Sequence, residues 1–273
     1  MITIMDGPVG TELLARGVPT PLPAWSADAL LRAPDVVREI HAAYAAAGAT
    51  IHTTNTFRTR PATAGDRWAE MAQTAVLLAR SAVPTDHRIA GSLAPIADCY
   101  RPDLSPADPR PAHRALAQVL AEAGVDLILC ETFPHVGEAI IAVEEAVATG
   151  VETWAALTAG PDADLLTPMA LADGAARALD AGASAILVNC VPASQTLRFA
   201  EALARLGAPF GAYANAGRPD EGVGWASGPP GPERYVAFAR MWVEAGASLI
   251  GGCCGTSPDH IAALKKAFVD KNH

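Results

Sequence analysis

Ala245-Gly246-Ala247-Ser248-Leu249-Ile250-Gly251-Gly252-Cys253-Cys254-Gly255 compresses one structural unit into a short stretch. Ala-Gly-Ala stops a helix, an apolar run forms a strand, and a cysteine pair flanked by glycines closes it. Gly246 takes the left-handed place after the last helical turn, which releases the chain into the next strand. The same Ala-Gly-Ala or Ala-Gly-Val signature recurs at Gly48, Gly124 and Gly182. It precedes every second strand candidate. Those candidates are 3–6, 50–54, 88–93, 126–131, 153–157, 185–190, 210–214 and 248–252, each separated from the next by a helix-length segment, so they read as parallel. Eight such units over about 250 residues is the size of a closed barrel. The expected fold class is therefore α/β, a single (β/α)8 TIM barrel, with one domain over 1–273.

The helical stretches agree. Residues 34–47 put Val36, Val37, Ile40, Ala43, Tyr44 and Ala47 on one side, with Arg38 and Glu39 mostly opposite, a stripe of helical period. The last helix opens with Ser257 as N-cap and Pro258 in its first turn and continues through Ile261, Leu264 and Phe268. Three connections, 17–34, 95–114 and 216–232, are long and rich in proline or glycine. Each follows a strand candidate, which places it on the C-terminal face of a barrel, where active sites are built. Only 271–273 reads as a tail.

Composition bounds the function. In 273 residues, 51% hydrophobic content and a mean hydropathy of +0.20 supply a large core. The start, Met1-Ile2-Thr3-Ile4-Met5-Asp6, lacks the basic region and apolar run of a signal peptide, and no later run reaches the roughly 18 apolar residues of a membrane helix. A cytoplasmic protein is expected. A net charge of −9 argues against nucleic acid or an anionic membrane as partner. Five cysteines, two of them adjacent, suit metal ligation in a reducing compartment better than a disulfide framework.

The cysteines carry the chemistry. Asn189-Cys190 follows the apolar run Ala185-Ile186-Leu187-Val188, as Cys253-Cys254 follows Leu249-Ile250. Neighbouring cysteines bond to each other only under strain, so a cation that binds both explains the pair better. Cys190, Cys253 and Cys254 are then three thiolate ligands at strand ends, without a fixed fourth protein ligand. That describes an open zinc site whose vacant position takes a substrate sulfur or a water. Cys99 and Cys130 read as small buried apolar residues.

In chain order, Asp6-Gly7-Pro8-Val9-Gly10-Thr11-Glu12-Leu13, Thr54-Asn55-Thr56-Phe57, Gly91-Ser92, Glu131-Thr132, Asn189-Cys190, Ala214-Asn215-Ala216-Gly217 and Gly251-Gly252-Cys253-Cys254-Gly255 resemble the zinc-dependent homocysteine S-methyltransferase family. That family includes betaine– and S-methylmethionine–homocysteine methyltransferases and the homocysteine domain of cobalamin-dependent methionine synthase. The likeness runs over essentially the whole chain. It implies zinc on Cys190, Cys253 and Cys254, homocysteine sulfur in the open position, and the homocysteine ammonium on Asp6 and Glu131. The turn Gly7 to Gly10 offers backbone N–H groups to the amino-acid carboxylate, although Pro8, where many relatives carry Ala or Gly, has none to give. Asn215 either fills the zinc position in the absence of substrate or ties a turn.

A small methylated cation as donor would be held by aromatic faces; Trp25, Phe57, Tyr100 and Trp225 are the candidates, with Trp25-Ser26 resembling the family's first-loop motif. Arg58 and Arg60 read as solvated loop arginines or as a greeting for an anionic donor. His52 is assigned to the core or helix layer and His135 to a loop surface, neither with a role. The resemblance implies methyl transfer to homocysteine, giving methionine, with S-methylmethionine or S-adenosylmethionine favoured over betaine because the sequence lacks the C-terminal arm of the betaine enzymes. Alternatives are another thiol or selenol acceptor, a corrinoid-protein donor, a zinc hydrolase, or a zinc-binding barrel without turnover.

Overall fold

A computed structural model describes residues 2–225 and 230–270. Eight parallel strands form one sheet: β1 (Thr3–Ile4), β2 (Ile51–Thr53), β3 (Arg88–Leu93), β4 (Leu127–Phe133), β5 (Glu152–Leu157), β6 (Ala185–Pro192), β7 (Phe210–Asn215) and β8 (Leu249–Gly252). Their spatial order is β1-β8-β7-β6-β5-β4-β3-β2. The remaining seam, β1 to β2, is closed by a parallel bridge between Met5 and Ile51 and by Thr50 N–H to Ile4 O (2.9 Å) and Asp6 N–H to Ile51 O (3.0 Å). The result is the expected (β/α)8 barrel. The helices that follow the strands are α1 (Pro34–Ala47), α2 (Trp68–Ala82), α3 (Arg110–Glu122), α4 (Val136–Val147), α5 (Pro168–Asp180), α6 (Ala193–Ala204), α7 (Gly231–Glu244) and α8 (Pro258–Phe268). A short helix, Val9–Ala15, precedes α1.

Strand alternation sorts the side chains into two cores. Met5, Ile51, Leu127, Leu129, Leu187, Tyr213 and Leu249 fill the barrel interior, while Ile4, Ile128, Cys130, Ile186 and Val188 face the helices. Cys130 is thus the buried apolar residue expected. By the same alternation Glu131, two residues after Leu129, returns to the interior at the barrel's C-terminal mouth. Gly48, Gly124, Gly182 and Gly246 all have φ between 81° and 108°, the left-handed geometry their motif requires. On α1, Val37, Ile40 and Tyr44 are buried as the stripe demands, and His41 is buried with them. Ser257 caps α8 in a reciprocal box with His260.

Two strands overrun their expected ends by two residues. β4 continues past Glu131 to Phe133 and β6 past Cys190 to Pro192, each through a shift of register, between Cys130 and Phe133 and between Asn189 and Pro192. Bulges of this kind bend a strand and re-aim its side chains. The tail 271–273 and residues 226–229 of the third long connection lie outside the described residues. Among the described residues no helix is long and apolar enough to cross a membrane.

Candidate metal centre and substrate cavity

The two bulges set the site. Thr132 and Cys190 adopt positive φ, 62° and 52°, a conformation that costs a non-glycine residue energy and that clusters at functional sites. Asn189, next to Cys190, holds Thr132 in place across β5. Its side-chain oxygen accepts from Thr132 N–H (3.2 Å) and its amide donates to Thr132 Oγ1 (2.7 Å). Cys253 and Cys254 leave the end of β8, fixed to β7 by Cys253 N–H to Ala214 O and Ala216 N–H to Cys254 O, both 2.9 Å. Tyr235 of α7 braces the same corner: its hydroxyl accepts from Ala214 N–H (3.0 Å) and lies 2.7 Å from Gly251 O. Gly251 packs so closely that a Cβ would lie 2.7 Å from Met5 Cβ and 2.9 Å from Asp6 O.

The three sulfurs of Cys190, Cys253 and Cys254 lie within 4.8 Å of one another. Cys190 and Cys253 are joined as a disulfide, and Cys254 Sγ is 3.9 Å from Cys190 Sγ. The expected reduced trio is therefore present in position with two of its thiols oxidised, because thiols close enough to share one cation are also close enough to bond. Burial pushes the Cys254 thiol up to about 11, so without a cation it keeps its proton at neutral pH. Three sulfurs converging at a cavity wall, without a charged side chain among them, fit a soft or borderline divalent ion.

The cavity, about 320 Å³, is lined by all three cysteines together with Asp6, Glu131 and Tyr213. Glu131 is buried and accepts from the hydroxyls of Tyr213 (3.0 Å) and Ser92. Asp6 is buried and accepts from Thr53 N–H (2.8 Å). Burial raises both carboxyls above their ordinary range, and the charge of Glu131 raises Asp6 further. Neither makes a salt bridge to a described residue. Two buried carboxylates in one cavity without a counterion make a receptor for a cation. Tyr213 was not anticipated; the alternation of β7 from Gly211 is the signal that would have turned it inward.

Trp25 and Phe57 meet edge to face, centroids 5.9 Å apart, on the cavity wall with Tyr100 and Arg58. Asn55 Nδ2 donates to Ser26 O (2.8 Å), tying the first-loop motif to the β2 loop. Gly7 and Gly10 also line the cavity, and Pro8 turns its carbonyl to the Tyr44 hydroxyl (3.2 Å). Trp225 stands outside the cavity lining, half exposed, donating from its indole to Gly217 O. Asn215 is committed on both ends, donating to Cys190 O (2.9 Å) and accepting from Gly217 N–H (2.8 Å), so it steadies the Cys190 bulge and the β7 turn. Arg60 corrects its reading as a solvated residue: it is buried and donates to the carbonyls of Phe57, Ala94 and Pro95. His52 is buried as expected, and exposed His135 caps α4 by accepting from Glu138 N–H.

The family model of homocysteine S-methyltransferases matches residues 3–268. The chain is 32% identical to the homocysteine S-methyltransferase of Escherichia coli strain K12, covering 97% of this chain and 94% of that one. It is 30% identical to homocysteine S-methyltransferase 1 of Zea mays, covering 96% and 93%. The crystal structure of the E. coli homocysteine methyltransferase MmuM superposes with a TM-score of 0.82 in its metallated form, at 28% identity and 97% and 96% coverage. Its oxidized form superposes with a TM-score of 0.79, at 29% identity and 97% and 95% coverage. With its barrel, its cysteine trio and a match that spans nearly every residue, the chain belongs to the homocysteine S-methyltransferase family.

Proposed function

We propose that this enzyme transfers a methyl group from a small sulfonium or ammonium donor to homocysteine, giving methionine, with zinc on Cys190, Cys253 and Cys254. The observation that carries the reading is the convergence of three sulfurs and two buried, unpaired carboxylates on one cavity. When bound, zinc lowers the pKa of a thiol so that its thiolate persists at neutral pH, and three thiolate ligands leave the centre at net −1, which keeps an incoming sulfur electron-rich. Asp6 and Glu131 hold the homocysteine ammonium, and Tyr213 and Ser92 fix Glu131 by donating to it. That orientation directs the sulfur toward the cysteines and its free lone pair toward the donor. Trp25 and Phe57 offer aromatic faces to a cationic methyl group.

Arg58 and Asp98, both on the cavity wall, favour a donor with an amino-acid head, the guanidinium facing its carboxylate and the carboxylate its ammonium. Such a head is carried by S-methylmethionine and S-adenosylmethionine; betaine has only the carboxylate. A thiolate centre of this kind belongs in a reducing compartment such as the cytoplasm. Reduced, zinc-loaded protein given homocysteine with S-methylmethionine, S-adenosylmethionine, betaine or methyltetrahydrofolate in turn is expected to form methionine with a sulfonium. Turnover only with the folate, or with none of the four, would overturn the cationic donor.

A further inference from the structure

Behind Asp6, on the side away from the cysteines' strands, lies a second group of ligating atoms. His41 projects from α1 and His52 from β2, and one nitrogen of each lies with an Asp6 carboxylate oxygen inside a 4.8 Å circle. Both imidazoles are fully buried. Neither ring nitrogen of His41 has a hydrogen-bond partner among the described residues, nor has His52 Nδ1. A buried polar atom left unpaired is costly, and one nitrogen from each of two such rings beside one carboxylate calls for an occupant.

The remaining nitrogen of the pair explains what kind. His52 Nε2 sits 3.0 Å from Nδ1 of His87, the two rings almost parallel at 9°, and His87 is partly exposed just before β3. With Nε2–H donating to His87, His52 keeps a bare lone pair at Nδ1, the buried atom that has no partner among the described residues. A ligating histidine is commonly oriented in this way, its second nitrogen tied to a neighbour. A neutral imidazole keeps a lone pair on one ring nitrogen, the form in which histidine ligates a metal. A water has two hydrogens for three converging acceptors. A cation satisfies all three.

We propose that Asp6, His41 and His52 form a second metal site, for a divalent transition ion of the zinc or cobalt class. Two imidazoles and one carboxylate are a donor set that such ions accept. Bonds of about 2.0–2.2 Å would place the ligand atoms roughly 3.4 Å apart, a modest closure of three side chains. Asp6 would then face an ion with one oxygen and the substrate cavity with its other edge, which links the two centres through one carboxylate. The donor atoms are nitrogen and oxygen only, so the site is spectroscopically distinct from the cysteines.

Tag-free, reduced, metal-free protein titrated with cobalt(II) is expected to bind two equivalents, one giving thiolate-to-cobalt charge-transfer absorption and one giving ligand-field absorption alone. The His41→Ala, His52→Ala variant should lose only the second equivalent. The Cys190→Ser, Cys253→Ser, Cys254→Ser variant, in which the histidine cluster is untouched, should keep it and lose the charge-transfer bands. Saturation of the wild type at one equivalent with thiolate bands, or survival of the second equivalent without the histidines, overturns the second site and leaves the cysteine centre standing. Absence of thiolate bands in the wild type is the separate failure of the cysteine centre. Should the histidine variant not fold, the triple cysteine variant decides alone: no bound cobalt there overturns the proposal.

Discussion

A buried carboxylate normally answers to a buried cation, and Glu131, 8% exposed, has only the hydroxyls of Ser92 and Tyr213. Its charge is balanced when an ammonium enters. A charge-assisted hydrogen bond of this kind is worth about 1.5–3 kcal/mol, so Glu131→Gln is expected to weaken homocysteine about 10- to 150-fold by calorimetry, with metal content unchanged. The same substitution should act oppositely on the empty fold. Burial raises the Glu131 pKa, so its contribution to stability is present below the ordinary carboxylate range and lost as pH rises through the raised value. At neutral pH the wild type therefore carries a cost that glutamine lacks. The Tm of ligand-free Glu131→Gln is expected to exceed that of wild type at pH 7, the gap closing below the ordinary value of 4.5. An equal gap at both pH values would show that the buried charge is not its source.

Between residue and barrel stand the strand ends, where the chain departs from what its sequence announces. The strands themselves were legible because alternation and left-handed glycines are local signals; β3 and α1 fall on their expected residues. The bulges in β4 and β6 were not, because their left-handed residues are Thr132 and Cys190 in place of the glycine that would have flagged them. The cysteines were legible from type and position at strand ends, and the carboxylates through the family resemblance. The double engagement of Asn215 and the burial of Arg60 were not, since each depends on a partner far away in sequence. Gly251 shows how tightly a strand end is specified: Gly251→Ala drives a methyl into Met5 and the Asp6 backbone. Overpacking of this kind costs about 1–3 kcal/mol. Denaturant unfolding should register that loss, and equilibrium dialysis should show weaker zinc retention because β8 carries Cys253 and Cys254. Unchanged stability and zinc affinity would mean that β1 and β8 can separate without disturbing the site.

Across the whole barrel, three cysteines from β6 and the end of β8 are brought together across β7, which pairs with both strands, and their proximity gives the molecule two competing states. With a divalent ion bound, Cys190, Cys253 and Cys254 are all thiolate ligands. Without one, Cys190 and Cys253 can join, as they do here, leaving Cys99, Cys130 and Cys254 as free thiols. Ligation deprotonates the sulfurs but occupies their lone pairs, so the ion protects them from oxidation as long as it stays. Two thiols disappear when the disulfide forms, which makes the states countable. Zinc-loaded protein, unfolded in denaturant with a thiol reagent, is expected to give all five cysteines, and protein stripped by a chelator in air should give the three free ones. Reductant added before zinc should restore both the count and methionine formation, whereas zinc added to oxidised protein should restore neither. Full activity on adding zinc alone to the three-thiol form would show that the Cys190–Cys253 bond does not compete with the metal.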